Sequence, residues 1–447
     1  MKYRRCNARP GPGPGPMQSS IRRLSAEVLL VGPLKMGAIR AITRMLLNWG
    51  LAMMSAPNPL GIPDITSFLK QVFGQAAFCF PTQNANLISA LQTAFSLAEI
   101  CWRNQNQWGD IRLAKLDSAD ARFADQAPTA DLLRQAFEQG YSLVVADVQT
   151  KNGLFATLCR QLSRQFACPT RCSAYWSPSY SEGQALQYDD QDAFVVQVSG
   201  SNNWQVDFNN EFRPFGGEAY QSTRVEQCKT LKQLKLAVGD ILYLPRGSCY
   251  KAATGSEQSL HFTFSVCSLR LRDLLLELLA PARPDLDLLR PALRAEDFSL
   301  AQGEDARAGL LGYLESLANR LRSEPELVDD ALLAVHKNVA AQLAPLNLQL
   351  DRQLHRGDPV LTLDTRLAVN PEQYFVFDEP AQRVYFSGGD IHLPDGYRWV
   401  FNLLRHTDSF SPRDIISQYE RADRQVELDS FAQLLTKNLL WLDRQTP

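Results

Sequence analysis

Residues 186–204 read LQYDDQDAFVVQVSGSNNW, and this stretch decides what kind of fold surrounds it. It opens on a polar-x-acid step, Gln187-Tyr188-Asp189. Side chains alternate along an extended chain, so Gln187 and Asp189 share one face. The apolar run Ala193–Val198 follows, then a turn at Gly200 and a tryptophan at Trp204. That is the frame of a metal site. A non-haem iron centre that activates oxygen needs two neutral imidazoles and a carboxylate on one face. The first position of this step holds an amide instead.

Short strands continue on both sides. Between Cys172 and Val266 the segments SAYWSP, AFVVQVSG, NWQVDF, LKLAVGDILYLP, YKAATG and SLHFTFSV are separated by Gly, Asn and Pro turns. This texture predicts a closed or sandwiched β structure. In VGDILYLPRG, Gly239-Asp240 makes a tight turn and Pro245 ends strand pairing. Residues 57–165 read as mixed α/β, with helical spacing in NANLISALQTAFSLAEICW, TADLLRQAFEQG and GLFATLCRQLSRQF and a strand in YSLVVADV. Leucine-rich amphipathic helices fill 269–345 and leave a surplus apolar face. The last segment has two strands, YFVFD and RVYFSG, then a helix begun by Ser411 with Pro412 at its first position.

From about Ser67 to Pro447 the chain resembles the JmjC-type (cupin) ribosomal oxygenases of bacteria. The shared residues are AYWSP (174–178), Asp189 with DAFVVQVSG (192–200), Trp204, GDILYLPRG (239–247) and SLHFTFSV (259–266). The resemblance implies an α+β chain built on a double-stranded β-helix, the JmjC/cupin jelly-roll barrel. It also implies a helical dimerisation region and a C-terminal winged helix. The expected parts are a basic extension over 1–54, the barrel with its N-terminal α/β portion over 57–268, the helical region over 269–365 and the winged helix over 366–447. The activity implied is Fe(II)- and 2-oxoglutarate-dependent hydroxylation of a protein side chain.

The resemblance fails at the positions that would carry this chemistry. The first metal histidine of the family falls on Gln187 and its aspartate on Asp189. The family pattern PRG-x-x-H places Tyr250 at the second histidine. The basic residue that grips 2-oxoglutarate, thirteen positions after the aspartate, falls on Asn202. The first histidine of the chain is His261, and the other four (His336, His355, His392, His406) lie beyond the barrel. No two-histidine site can form inside it.

Each residue also has a structural reading. Gln187 and Asp189 can hydrogen-bond across the barrel mouth. Tyr250, with an ordinary phenol pKa of ~10, is a poor Fe(II) ligand and a good amphipathic packer. Cys249 alternates out of phase with Tyr250. His261 reads as a core histidine, and Asn202-Asn203 as a turn into Trp204. Tyr188, Arg246, His261 and Trp204 are the further candidates for the barrel mouth.

The expected protein is therefore a catalytically degenerate relative of the hydroxylases that binds a protein or peptide, forms a homodimer and uses no cofactor. Its alternative is an active hydroxylase with a rearranged site, Asp189 with Gln187, Tyr250 or His261. That reading needs Fe(II) and 2-oxoglutarate, and another arginine such as Arg246 to hold the latter.

Composition narrows the partners. The 447 residues are 45% hydrophobic and 21% charged, with a net charge of −2, an ordinary globular balance for two or three domains. Residues 1–54 carry nine basic residues and one acid, leaving 37 basic and 47 acidic residues in the body. An acidic body disfavours nucleic acid as the main ligand, and residues 411–447 add five basic and six acidic residues where a DNA-reading unit needs net positive charge. All six methionines also fall in 1–54. Two readings of this segment stay open: an upstream misassigned start, with translation beginning at Met53 or Met54, or a targeting sequence. No later apolar run is long enough for a membrane span. The nine scattered cysteines fit reduced thiols and a cytoplasmic location, with the Cys168/Cys172 pair serving packing.

Overall fold

The computed structural model describes residues 58–96, 109–115, 127–183, 185–208, 212–228, 230–280, 303–343, 361–370, 373–393, 399–405, 409–418, 424–437 and 439–442. The basic extension over 1–54, His355 and His406 lie outside them. The chain divides into two compact units, Met1–Leu51 with Pro291–Asp329, and Ala52–Arg290 with Asp330–Pro447.

In the larger unit the first ten strands are β1 (Phe78–Pro81), β2 (Ile111–Ala114), β3 (Ser142–Val145), β4 (Thr170–Ser177), β5 (Asp192–Ser199), β6 (Asn202–Asp207), β7 (Leu231–Leu236), β8 (Asp240–Leu244), β9 (Tyr250–Thr254) and β10 (Ser259–Val266). They form two antiparallel sheets, one in the order β1-β8-β5-β10-β4-β3-β2 and one in the order β7-β6-β9. Consecutive strands β5 and β6 lie in different sheets, joined by the turn at Gly200. This two-sheet arrangement is the jelly-roll expected from the sequence.

β5 has no polar face because both of its faces are covered. Phe194, Val196 and Val198 join a large core with Phe68, Phe155, Leu162 and Phe262. Ala193 and Val195 point the other way and pack with Trp204, Val206, Leu236 and Leu242. A strand buried on both sides reads as a continuous apolar run, which explains DAFVVQV. Gly200 has φ +62°, and a Cβ there would meet the Gln258 carbonyl oxygen at 1.9 Å. Only glycine fits the corner where the chain changes sheet.

Helices α1 (Ile65–Gln71), α2 (Leu87–Ala94), α3 (Ala130–Glu138) and α4 (Gly153–Phe166) supply the outer layer. α4 matches its sequence reading end to end. The Asn152 side chain accepts the Leu154 N–H at its start, Ala167 turns left-handed at φ 52° at its end, and Phe155, Leu158, Cys159, Leu162 and Phe166 form its buried stripe. Cys168 and Cys172 are buried packing residues, as expected.

One buried carboxylate ties the strands together. Asp192 is wholly buried and accepts hydrogen bonds from the Tyr243 hydroxyl (2.9 Å), the Arg246 N–H (3.2 Å), the Arg246 guanidinium (3.3 Å) and the Ser268 hydroxyl (2.5 Å). Tyr243 in turn accepts the Gly74 N–H.

The expectation that all cysteines are reduced is corrected by a disulfide between Cys228 and Cys249, whose Cα atoms are 6.4 Å apart. α5 (Ser222–Gln227) ends beside the entry of β9, so residues 21 apart in sequence meet. No spacing rule signals that approach. The out-of-phase position of Cys249 is as expected: it is buried against Cys228 while Tyr250 faces the other way.

Helix α6 (Leu271–Leu278) follows the barrel and exposes Leu271, Leu275 and Leu276. α7 (Gly303–Ser323) belongs to the smaller unit, and α8 (Glu326–Gln342) begins there. In the larger unit, Val339 and Ala340 of α8 pack with Ala167, Tyr374 and Val376. The terminal segment holds β11 (Leu367–Val369), β12 (Phe375–Asp378), β13 (Arg383–Phe386) and β14 (Gly389–His392). They are followed by α9 (Trp399–Arg405), α10 (Pro412–Gln418), α11 (Arg424–Thr436) and β15 (Leu440–Leu442). β12, β13 and β14 form a meander, β11 pairs with β15, and Trp399, Phe401, Phe431 and Leu434 fill the core between. Ser411 and Asp414 cap α10 reciprocally, each side chain accepting the other's backbone N–H.

Three substitutions test these buried polar groups. Asp192→Ala strands the Arg246 guanidinium and three other donors, so urea unfolding should show a loss of about 3 kcal/mol or more. Ser268→Ala, which removes one neutral donor, should cost about 1 kcal/mol. Burial also lowers His336, whose Nδ1 lies 2.6 Å from the Tyr374 hydroxyl, to a pKa of about 4. The unfolded chain takes up this proton first, near pH ~6.5. The stabilising contribution is whole above that pH and disappears as pH falls towards about 4. His336→Phe should therefore flatten the stability-versus-pH curve in that window; an unchanged slope would remove His336 as its source.

Candidate functional site

The sequence between β4 and β5 makes one short contact that builds the site. Gln187 and Tyr250 exchange two backbone hydrogen bonds, of 3.0 and 2.7 Å, in an isolated antiparallel bridge. Their side chains therefore stand side by side, with Asp189 two residues along the same face. The Tyr250 hydroxyl donates to Asp189 Oδ2 at 2.8 Å, and Gln187 Nε2 donates to the Tyr250 oxygen at 3.3 Å.

These residues line one open cavity, whose walls also contain Asn202, Trp204, His261 and Tyr175. The aromatic groups touch one another. Trp204 lies 5.6 Å from Tyr250 and 5.6 Å from the His261 ring, and Tyr175 stacks on His261 at 4.9 Å. At the far wall Ser142 donates to Ser177 and lies 3.3 Å from the Ser181 hydroxyl. Three buried polar atoms on these walls have no protein partner: Asn202 Oδ1, Trp204 Nε1 and His261 Nδ1.

The electrostatics follow from enclosure. Asp189 is open to the cavity mouth yet surrounded by protein on most sides. Desolvation raises its carboxyl above the usual range, the Tyr250 hydrogen bond opposes this, and the charge of Asp190 adds to it. Burial, and then the charge of Asp189, hold the Tyr250 phenol well above its ordinary value. Burial pushes Tyr175 up to about 12 and His261 down to about 3. At neutral pH the cavity thus contains two protonated phenols and a neutral imidazole.

The structure brings Gln187, Asp189, Asn202, Trp204, Tyr250 and His261 together, as the sequence suggested. It removes two candidates. Tyr188 alternates away from the mouth, stacks on Tyr220 and accepts the Gln221 N–H. Arg246 turns to the buried Asp192, because an uncompensated carboxylate in the core is costlier than an unused cavity wall. Asn202 is also not a turn residue. It opens β6, and the turn lies at Gly200–Ser201. Tyr175 and Ser177 were missed as site residues, although period two within AYWSP places both on the face of one strand.

The donors present do not make a facial triad. The cavity offers one imidazole, one amide and a carboxylate whose Oδ2 is taken by a phenol that keeps its proton. Among the described residues no three His, Cys, Asp or Glu side chains gather closely enough to hold a metal ion. Among the described residues, the one lysine that lines the cavity, Lys251, is exposed, while its neighbours Tyr250 and Ala252 are half-buried.

Comparison with known proteins matches the geometry. The JmjC domain family matches residues 147–274. The chain is similar to the bifunctional lysine-specific demethylase and histidyl-hydroxylase NO66 of Aedes aegypti, at 30% identity over 44% of this chain and 33% of that protein. It is similar to the Drosophila erecta protein of the same name at 26% identity over 66% of this chain and 44% of that one. The matched part thus spans less than half the length of these curated relatives. Among solved structures, it resembles the Escherichia coli ribosomal oxygenase YcfD in complex with cobalt and 2-oxoglutarate. There the TM-score is 0.47 and the identity 14%, over 85% of this chain and 98% of that one. Residues 147–274, which match the JmjC domain family, contain β4 to β10, Asp189 and the cavity walls other than Ala114, Ser142 and Val144.

Proposed function

We propose that this JmjC-fold protein binds a protein or peptide at the cavity mouth and does not carry out 2-oxoglutarate-dependent oxidation. The observation that supports this reading best is the Gln187–Tyr250–Asp189 hydrogen-bond chain. It satisfies, from within the protein, the carboxylate that a metal would otherwise need. Homodimerisation through the exposed leucines of α6, and a winged-helix role for residues 366–447 in holding protein rather than DNA, belong to the same proposal. A segment with six acidic and five basic residues from Ser411 onward is poorly suited to phosphate contacts.

One observation favours a second reading. The curated relatives are named as a demethylase and histidyl-hydroxylase, and Asp189 keeps the type of a metal-binding carboxylate. An active hydroxylase would then hold Fe(II) through Asp189 and His261, with Gln187 or Tyr250 completing the site.

Calorimetry under anaerobic conditions separates the two. Titration of Fe(II) and 2-oxoglutarate, singly and together, should give no saturable heat; joint binding in the micromolar range would establish the second reading. The double substitution Gln187→His with Tyr250→His breaks the internal chain and supplies two imidazoles beside Asp189. Its Fe(II) affinity should rise at least tenfold over the parent, about 1.4 kcal/mol. A folded double variant that still ignores Fe(II) would show that these are not the ligand positions.

A further inference from the structure

We propose that the cavity is a site for a small organic cation, an ammonium-bearing ligand with an oxygen acceptor beside the charge. This rests on the reading that the cavity does not take Fe(II) and 2-oxoglutarate.

The walls are rich in acceptors. Asp189 stands at the mouth with only Oδ2 engaged by Tyr250. Asn202 Oδ1 is buried without a partner, and Asn202 itself is 3% exposed. Such an acceptor, cut off from water and unpaired, calls for a donor on the ligand. The lysine that lines the cavity, Lys251, is exposed to solvent, whereas Asp189 is enclosed by protein on most sides. A cation would meet this carboxylate as its counter-charge.

The aromatic groups point the same way. Tyr175, Trp204 and Tyr250 line the same cavity: Tyr175 and Trp204 each contact the His261 ring, and Trp204 contacts Tyr250. Electron-rich rings around a carboxylate attract ammonium groups, most strongly where water is partly excluded. Trp204 Nε1 is a donor without a partner, buried on a residue 3% exposed. It is suited to a hydroxyl or carbonyl oxygen next to the cationic centre.

The test uses the full chain and four probes in calorimetry: choline, n-butylamine, 3,3-dimethylbutan-1-ol and 2-oxoglutarate. The alcohol has the shape of choline without its charge. Choline should bind saturably, n-butylamine detectably, the alcohol about tenfold more weakly than choline or less, and 2-oxoglutarate not at all. Asp189→Asn preserves an acceptor for the Tyr250 hydroxyl and should weaken choline about tenfold without changing the alcohol. An indole N–H resonance lost on Trp204→Phe should shift with choline in the parent. Equal affinity for choline and the alcohol, indifference to Asp189→Asn, or no binding of either amine would overturn the cation site while leaving the non-oxidative reading in place. Binding of 2-oxoglutarate with Fe(II) would overturn that reading instead.

Discussion

The architecture depends on neutralising one charge. Asp192 begins β5 at the centre of the larger sheet, where water cannot reach it. A carboxylate in such a place is stable only with donors on several sides. The donors come from β8 through Tyr243, from the turn after β8 through Arg246, and from the chain leaving β10 through Ser268. Both neighbours of β5 are therefore locked to it at the same end. The locked turn leads directly into Cys249 and Tyr250, and the residues just before Asp192 are Asp189 and Asp190. Placing the buried charge thus places the cavity.

This constraint explains which sequence readings survive in the structure. Alternation is a local property, so Phe194 and Val196 on one face of β5 and Ala193 and Val195 on the other were legible from the residues alone. The stripe and caps of α4 are local in the same sense. Gln187, Asp189, Asn202, Tyr250 and His261 were legible through resemblance, because motif spacing carries the register of strands far apart in the chain. The fate of Arg246 was not legible. Its partner lies 54 residues away, and nothing in PRG distinguishes a guanidinium that faces a cavity from one that faces a buried carboxylate. The Cys228–Cys249 pair escaped for the same reason, since it arises from where α5 ends relative to β9. The third strand of the terminal meander, β14, hid behind Gly388-Gly389, which reads as a loop but forms a tight turn with both glycines at positive φ.

The departures at the cavity are coupled rather than independent. An imidazole at position 250 would turn a lone pair toward a metal shared with Asp189, whereas the phenol turns an O–H toward the carboxylate, and burial keeps that proton in place. Gln187, opposed to Tyr250 by the backbone bridge, donates in turn to the phenol oxygen. Gln187, Tyr250 and Asp189 thus form one hydrogen-bond chain within the protein. Asn202 completes the change by removing the expected cation from β6.

What remains unsatisfied is then informative. In a cavity whose mouth is served by its own hydrogen bonds, the polar atoms left over are Asn202 Oδ1, Trp204 Nε1 and His261 Nδ1. Asn202 and Trp204 share one face of β6, and His261 lies on β10 of the other sheet, so the β6 pair and His261 meet across the cavity. Unpaired buried groups are uncommon in native proteins, because each forfeits the hydration it had in the unfolded chain. These three line one cavity, beside a carboxylate and three aromatic rings, where a bound molecule could reach them. A wall evolved only for packing would replace Asn202 with an aliphatic residue at no loss to β6, whose neighbouring core is already apolar. The barrel scaffold and the character of its cavity are thus separable: Asp192 and the apolar strands fix the first, and a handful of inward side chains on β6, β9 and β10 set the second.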